Sequence, residues 1–296
     1  LMVSNNPYFL KDPENAGYSI LNSVANSLDY GIWLPNLVCA IIFCTGLALF
    51  CKRLPNKWLA LAVSIPWLAI VFTFNSTRQS AAFGLSLIAL TLLFDRRNLG
   101  FFIYIMSAAF FHTSAIVMVF FGIFGLPSIK IRRKIVLMLV LIVCTYLLLD
   151  LLIIDRLEHF FRVYVFSETY HSDGASIRLA LNCLPATLFL LFKSRFQIDP
   201  SLRKFWQWWA IIVLCLIPMM IIIPSNTIVD RFNLYLTPIQ LFVCAHLPLL
   251  FKGKNQRILV ITIILTLYAI FMYYFFTFSA YAFYYFPYKF YPLEYF

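Results

Sequence analysis

Nine apolar runs of roughly membrane-spanning length, divided by short basic loops, constrain this chain more than any other feature. They fall at about residues 32–50, 58–74, 79–94, 99–124, 135–154, 176–192, 207–223, 232–251 and 258–279. A helix needs about 20 apolar residues to cross the hydrocarbon core, and only helices and closed barrels satisfy their own backbone there. The ends of the runs carry Pro, Lys, Arg, Trp and Tyr, the residues that membrane interfaces favour. Of 296 residues, 62% are apolar and 12% charged, against roughly a quarter charged in a soluble domain. Lipid must therefore be the solvent. The expected fold is all-α: a polytopic transmembrane bundle of about nine to ten spans with a loop region near 155–175. Residues 1–296 read as one integral membrane domain without internal repeats. The chain begins with Leu1 and shows no signal-peptide pattern, so a further span is expected ahead of it.

The net charge of +11 sorts by membrane side. One set of loops holds Lys52, Arg53 and Lys57; Arg96 and Arg97; Lys130, Arg132, Arg133 and Lys134; Lys193, Arg195, Arg203 and Lys204; and Lys252, Lys254 and Arg257. Those 16 bases stand against only Asp95 and Asp199, a balance of +14, while the other side carries 7 bases and 10 acids, or −3. Basic loops mark the cytoplasmic side. The charge is thus a topology signal, and nucleic acid is not an expected partner. The seven cysteines lie in or beside apolar runs without ligand spacing, so they read as small packing residues with no metal site or disulfide framework.

The run 99–124 lies between two basic loops that should share a side. At 26 residues it is long for one span and short for two. It fits the charge rule as two short helices that enter and return, turning near His112-Thr113-Ser114, which would mark a cavity. One long tilted helix is the alternative.

The outer side should be poor in bases, yet it holds Arg78, Arg156, Arg162, Arg178 and Arg231. Arginine offers a permanently charged planar fork that grips phosphate in bidentate fashion. Arg78, Arg178 and Arg231 are expected where loops enter helices, and helix N-termini themselves favour anions. Three such ends converging would form a diphosphate site. The competing reading is that the arginines reach lipid headgroups or pair with Asp150, Asp155, Glu158 and Asp230.

Tyr235 and Asn182 each follow an arginine by four residues and so share its helical face. Gln79 adjoins Arg78 and leads into Ser80, Ala81, Ala82 and Gly84, a run equally suited to close helix packing. His112 lies deep in an apolar run, as a packing residue or a functional one, whereas His246 reads as structural. The segment 155–175 mixes His159, His171, Glu158, Glu168, Tyr164 and Tyr170, which suits sugar binding or simply an interfacial loop. The aromatic tail reads as an interfacial belt.

Arg78-Gln79 opening a small-residue helix, followed by Phe111-His112-Thr113-Ser114-Ala115, resembles the EpsG-type branch of the Wzy O-antigen and exopolysaccharide polymerases. The resemblance continues through Gly174-Ala175-Ser176-Ile177-Arg178 with Asn182 and Pro185, and Asp230-Arg231-Phe232-Asn233-Leu234-Tyr235 with Pro238. Glu14-Asn15-Ala16-Gly17-Tyr18, then Leu21 and Asn22, is similar to that family's first outer loop.

The resemblance implies a bacterial inner-membrane glycosyltransferase that joins undecaprenyl-diphosphate-linked oligosaccharide repeats at the periplasmic face, without metal or other cofactor. It also implies a chain-length regulator as a partner. Arg78, Arg178 and Arg231 would hold the diphosphate, with Gln79, Tyr235 and Asn182 in support. His112 would position substrate or act as base, and Glu14, Tyr18 and Glu168 would face the glycan, with Glu14 or Glu168 competing for the base role. A transporter or flippase for lipid-linked sugars would favour two matching halves and charges spread through the depth. An O-antigen ligase would use similar chemistry on another acceptor.

Overall fold

The computed structural model describes residues 15–125, 172–279 and 281–286. The expected span at 135–154, most of the segment 155–175, and the candidates Glu14 and Glu168 lie outside the described residues. Everything described is helix, turn or coil, with no strand among the described residues. The helices are α1 (Ala16–Ser27), α2 (Trp33–Lys52), α3 (Lys57–Asn75), α4 (Thr77–Phe94), α5 (Asn98–Phe111), α6 (Met118–Gly125), α7 (Ala175–Phe192), α8 (Pro200–Ile222), α9 (Asn226–Leu236), α10 (Pro238–His246) and α11 (Lys254–Phe278). Among the described residues, α2, α3, α4, α7, α8 and α11 are long and apolar enough to cross a membrane, and the pair Asn226–Leu236 and Pro238–Leu250, bent by 43°, brings the number to seven if it is counted as one span. Their exposed faces carry large apolar side chains such as Leu37, Ile41, Ile263 and Ile270, as lipid contact requires. The chain is a multi-pass membrane protein.

The run 99–124 is a hairpin. α5 ends at Phe111, His112 is extended (φ −155°, ψ 118°), and a 3₁₀ turn over Thr113–Val117 leads into α6. One continuous helix would hold Phe101 and Gly122 about 30 Å apart. Instead the Phe101 ring lies so close to Gly122 that no Cβ would fit there. The chain therefore doubles back, and both ends of the run meet the same end of the bundle, as the flanking basic loops require.

Small residues set the tightest crossing. α4 packs along α2 and α5, and a Cβ on Gly84 would lie 2.6 Å from the Phe43 Cα and 2.7 Å from the Ile42 carbonyl oxygen. Ser80, Ala81 and Ala82 are buried on the same helix. This backbone approach drives helix association where lipid removes the hydrophobic incentive.

Two irregularities aim side chains at one end of the bundle. In α3, Ile65–Phe72 is π-helical and contains Pro66, which lacks the N–H for a regular helical bond; Thr73 Oγ1 donates to the Leu68 carbonyl at 2.6 Å. The bend between α9 and α10 falls at Thr237-Pro238. Trp209 Nε1 donates to the Leu236 carbonyl at 3.0 Å, so this acceptor at the bend is not left bare inside the bundle.

Helix directions collect Lys52, Arg53, Lys57, Arg96, Lys193, Lys204 and Lys254 at one end, where Arg53 grips Asp95 through both guanidinium nitrogens. That hydrogen bonding, opposed by slight desolvation and aided by the charges of Arg53 and Arg97, holds the Asp95 carboxyl below its ordinary 3.8. The starts of α4, α7 and α9 lie at the opposite end.

Candidate functional site

At that opposite end, two sequence motifs are tied together. Ser172-Asp173-Gly174 turns into α7 with Gly174 at φ 76°, a left-handed conformation that glycine adopts without steric cost. A Cβ there would also lie 3.1 Å from Arg178 Nη1. The turn lets Arg178 fold back, so that Nη1 donates to the Asp173 carbonyl at 2.8 Å and Nη2 to Ser172 Oγ at 2.6 Å. Nε and Nη2 donate to the two carboxylate oxygens of Asp230, each at 2.8 Å. Ser172 Oγ donates to Asp230 at 2.8 Å, and Asn226 Oδ1 accepts from the Ser172 N–H at 2.7 Å. The Arg178 guanidinium lies 5.0 Å from the Trp67 ring centroid, which the π-helical stretch of α3 presents.

This cluster walls a cavity of about 680 Å³ between α3, the start of α4, α7, α9 and the far end of α11. Asn75, Ser76, Gln79, Ser172, Arg178 and Arg231 supply polar surface, and Trp67, Phe271, Tyr274, Phe275 and Phe278 an aromatic wall. Gln79 Nε2 is buried in that wall without a hydrogen-bond partner. α4 and α7 begin at the cavity without a side-chain cap, and the Ala175 N–H at the start of α7 donates to the Ser172 carbonyl at 3.1 Å. Tyr285 folds back beside it: its hydroxyl accepts from Asn75 Nδ2 at 2.6 Å and donates to the Val71 carbonyl at 3.1 Å.

The expected arginine triad takes a different form. Arg178 and Arg231 both line the cavity. Arg78 does not line it; its guanidinium lies 5.5 Å from the Tyr18 ring centroid on α1. Arg231 is not at a loop-to-helix junction either. Ser225 precedes a helix that starts at Asn226, so Arg231 sits in its second turn. Arg178 has Asp230 as its carboxylate partner, and the lining holds Asp173 and Asp230 beside Arg178 and Arg231, so its formal charges balance.

Asn182 is wholly buried and does not reach the cavity. Its Nδ2 donates to Asn233 Oδ1 at 2.6 Å and to the Asn233 carbonyl at 2.9 Å, and its Oδ1 accepts from Gln240 Nε2 at 2.7 Å. Tyr268 on α11 donates to Gln240 Oε1 at 2.7 Å. This chain of amides joins α7, α9, α10 and α11 inside the bundle.

His112 and Tyr235 are brought together by Ser114. Ser114 Oγ lies 2.6 Å from His112 Nδ1 and 3.1 Å from Tyr235 Oη. The hairpin tip thereby docks on α9, one helical turn from Arg231. α1 closes over the same tip, where Gly17 meets Phe110 so closely that a Cβ would lie 2.6 Å from the ring. Burial pushes the Tyr18 hydroxyl pKa up, with Cys39 adding to the rise and Arg78 opposing it.

The model of the EpsG family matches residues 2–290, nearly the whole chain. The chain belongs to the EpsG family. Membership of the EpsG family points to a polysaccharide-polymerase-like function and a glycosyltransferase-like activity. No curated protein and no solved structure matches the chain.

The sequence reading did not single out Trp67, Asn75 or Ser172, nor the aromatic end of α11. A Phe or Tyr facing a cavity and one facing lipid look alike within an apolar run. Asp230 was legible as one of four acids that could meet an outer arginine.

Proposed function

We propose that this EpsG-family protein joins lipid-diphosphate-linked oligosaccharide repeats at the outer face of the bacterial cytoplasmic membrane. The reading is carried by the cavity itself: Gln79, Arg178 and Arg231 line one space with an aromatic wall, near the starts of α4 and α7. It lies at the end of the bundle away from the basic loops, which the charge rule assigns to the outside.

In such a transfer the anomeric C–O bond of the donor breaks, and its electron pair leaves with the lipid diphosphate. The acceptor hydroxyl oxygen forms the new glycosidic bond, and its proton passes to a base. Charge gathers on the leaving diphosphate, where preorganised donors in a water-poor site act most strongly. Arg231 serves as such a donor, with Gln79 beside it in the cavity lining. Arg178 locks α7 to α9 through Asp230 and so fixes the position of Arg231. The aromatic wall suits sugar rings or the isoprenoid chain. The reaction assigns no step to a metal, and a chain-length regulator would be a partner.

Alanine at Arg178 or Arg231 is expected to abolish long polymer in cells while membrane-inserted protein persists. Polymer of normal length from both variants would refute the assignment.

A further inference from the structure

We propose that the isoprenoid chain of the lipid-linked substrate enters the cavity sideways from the membrane, through the seam between α9 and α11, and lies on the aromatic face of α11. The proposal rests on the polymerase reading for the identity of the lipid, and on the cavity alone for the path.

The cavity is graded in polarity along the bundle axis. α3 and α11 run toward the end that carries the site and α9 runs away from it, so position along each helix reports depth. Asn75, Ser76, Thr227 and Ser279 lie nearest that end, with Arg178, Asp230 and Arg231 next. Trp67, Leu234 and Phe271 lie farthest in. A polar rim thus leads to a charged band and then to an apolar floor. A lipid-linked glycan has the same order of sugar, diphosphate and hydrocarbon. Its isoprenoid chain is far longer than this floor, so the rest of the chain must pass out into lipid.

The seam between α9 and α11 offers the way. α11 packs on α3 and on the turn Leu247–Leu250, and among the described helices no packing of that extent joins it to α7 or α9. Deeper in the bundle the seam is shut, where Tyr268 donates to Gln240 of α10 at 2.7 Å and both side chains are buried. One turn outward from Tyr268 begins the stripe Phe271, Tyr274, Phe275 and Phe278, spaced i, i+3, i+4 and i+7 on one face. It extends over about 10 Å, and all four side chains line the cavity. Tyr274 and Phe278 nonetheless keep 46% and 68% of their surface exposed. The same wall therefore faces both the cavity and the surroundings of the bundle, where a wall closed off from lipid would bury its rings. Three of the four are phenylalanines, which offer sugar hydroxyls no hydrogen-bond partner but pack well on hydrocarbon.

The probe is undecaprenyl diphosphate without sugar, bearing a diazirine on an isoprene unit close to the diphosphate, added to the protein in bilayer discs. After illumination, peptide mass spectrometry should find the label on residues 271–278 of α11 and on Trp67 or Val71 of α3. A phosphatidylglycerol with the same diazirine in its acyl chain reports contact with bulk lipid, and it should label the stripe much less. Equal labelling of the stripe by the two lipids, or diphosphate-lipid label confined to other helices, would overturn the path. In a binding assay with the same lipid, joint Tyr274→Ala and Phe278→Ala substitution should weaken affinity about tenfold. Tyr273→Ala, an exposed neighbour that does not line the cavity, should leave it unchanged; an equal loss there would also overturn the proposal.

The labelling needs no turnover, which keeps the two claims separate. If the protein extends a lipid-linked repeat while the label misses α11, the path fails and the polymerase reading stands. If the label falls on α11 and no repeat is extended, the polymerase reading fails and the path stands.

Discussion

The bidentate pair between Arg178 and Asp230 is the joint on which the site's geometry depends, and its strength can be worked from its surroundings. The side chains retain 13% and 18% of their accessible surface, so most of their hydration is gone. Removing one partner of a buried pair typically costs about 3–5 kcal/mol, because the other charge is left uncompensated. Here the survivor is not wholly stranded. Arg178 without Asp230 keeps Ser172 Oγ and the Asp173 carbonyl, and Asp230 without Arg178 keeps the Ser172 hydroxyl. With that relief and residual solvent access, each single alanine substitution should cost about 3 kcal/mol. The double substitution strands no charge, so it should cost only about 4 kcal/mol, a coupling of about 2 kcal/mol. Equilibrium unfolding in mixed micelles, followed by tryptophan fluorescence, measures all three variants. Additive single costs, with coupling below about 0.5 kcal/mol, would refute the claim that this pair locks α7 to α9.

Two further outcomes test the frame around the site. Gly84→Ala would drive a Cβ against the Phe43 Cα and Ile42 carbonyl of α2; backbone cannot swing aside, so about 1–3 kcal/mol of stability should be lost in the same unfolding assay. Asp95→Asn should cost at most about 1 kcal/mol at pH 7, since the pair with Arg53 is exposed. The folded-state pKa of Asp95 is depressed, so its contribution is present above the unfolded value and lost as pH falls through the folded one. Unfolding curves of the variant and the unsubstituted protein should therefore converge in strong acid.

Periodicity and charge carried most of the fold. Apolar length placed the spans, and bases on both flanks of residues 99–124 favoured a hairpin but left one long tilted helix open, because a single crossing would put one basic loop on the wrong side. The bend at Thr237-Pro238 was hidden, since 232–251 reads as one apolar run and tertiary packing decides how a proline is absorbed. α1 was also missed: a short helix of mixed polarity gives a weak pattern, and its burial comes from packing on α2 and α5. Within the site, the sequence named Arg178, Arg231, Gln79, Tyr235 and His112 but could not say which would share a surface. Arg178 and Arg231 look equivalent in sequence. They differ because the turn at Gly174 sends Arg178 back onto Asp230, a contact set by three-dimensional register between helices far apart in the chain. Asn182 reads as a site residue by spacing and proves to be one member of a buried amide chain, because Asn233 and Gln240 meet it across helix interfaces that no local pattern reveals.

The central claim is covalent chemistry on a lipid-linked glycan, and the most direct measurement is product length. Purified protein in bilayer discs, given one lipid-diphosphate-linked oligosaccharide repeat, should yield a ladder of products increasing by whole repeats, with lipid diphosphate released at each step. Recovery of the repeat unchanged in length, whether it stays in place or crosses the bilayer, would contradict the account.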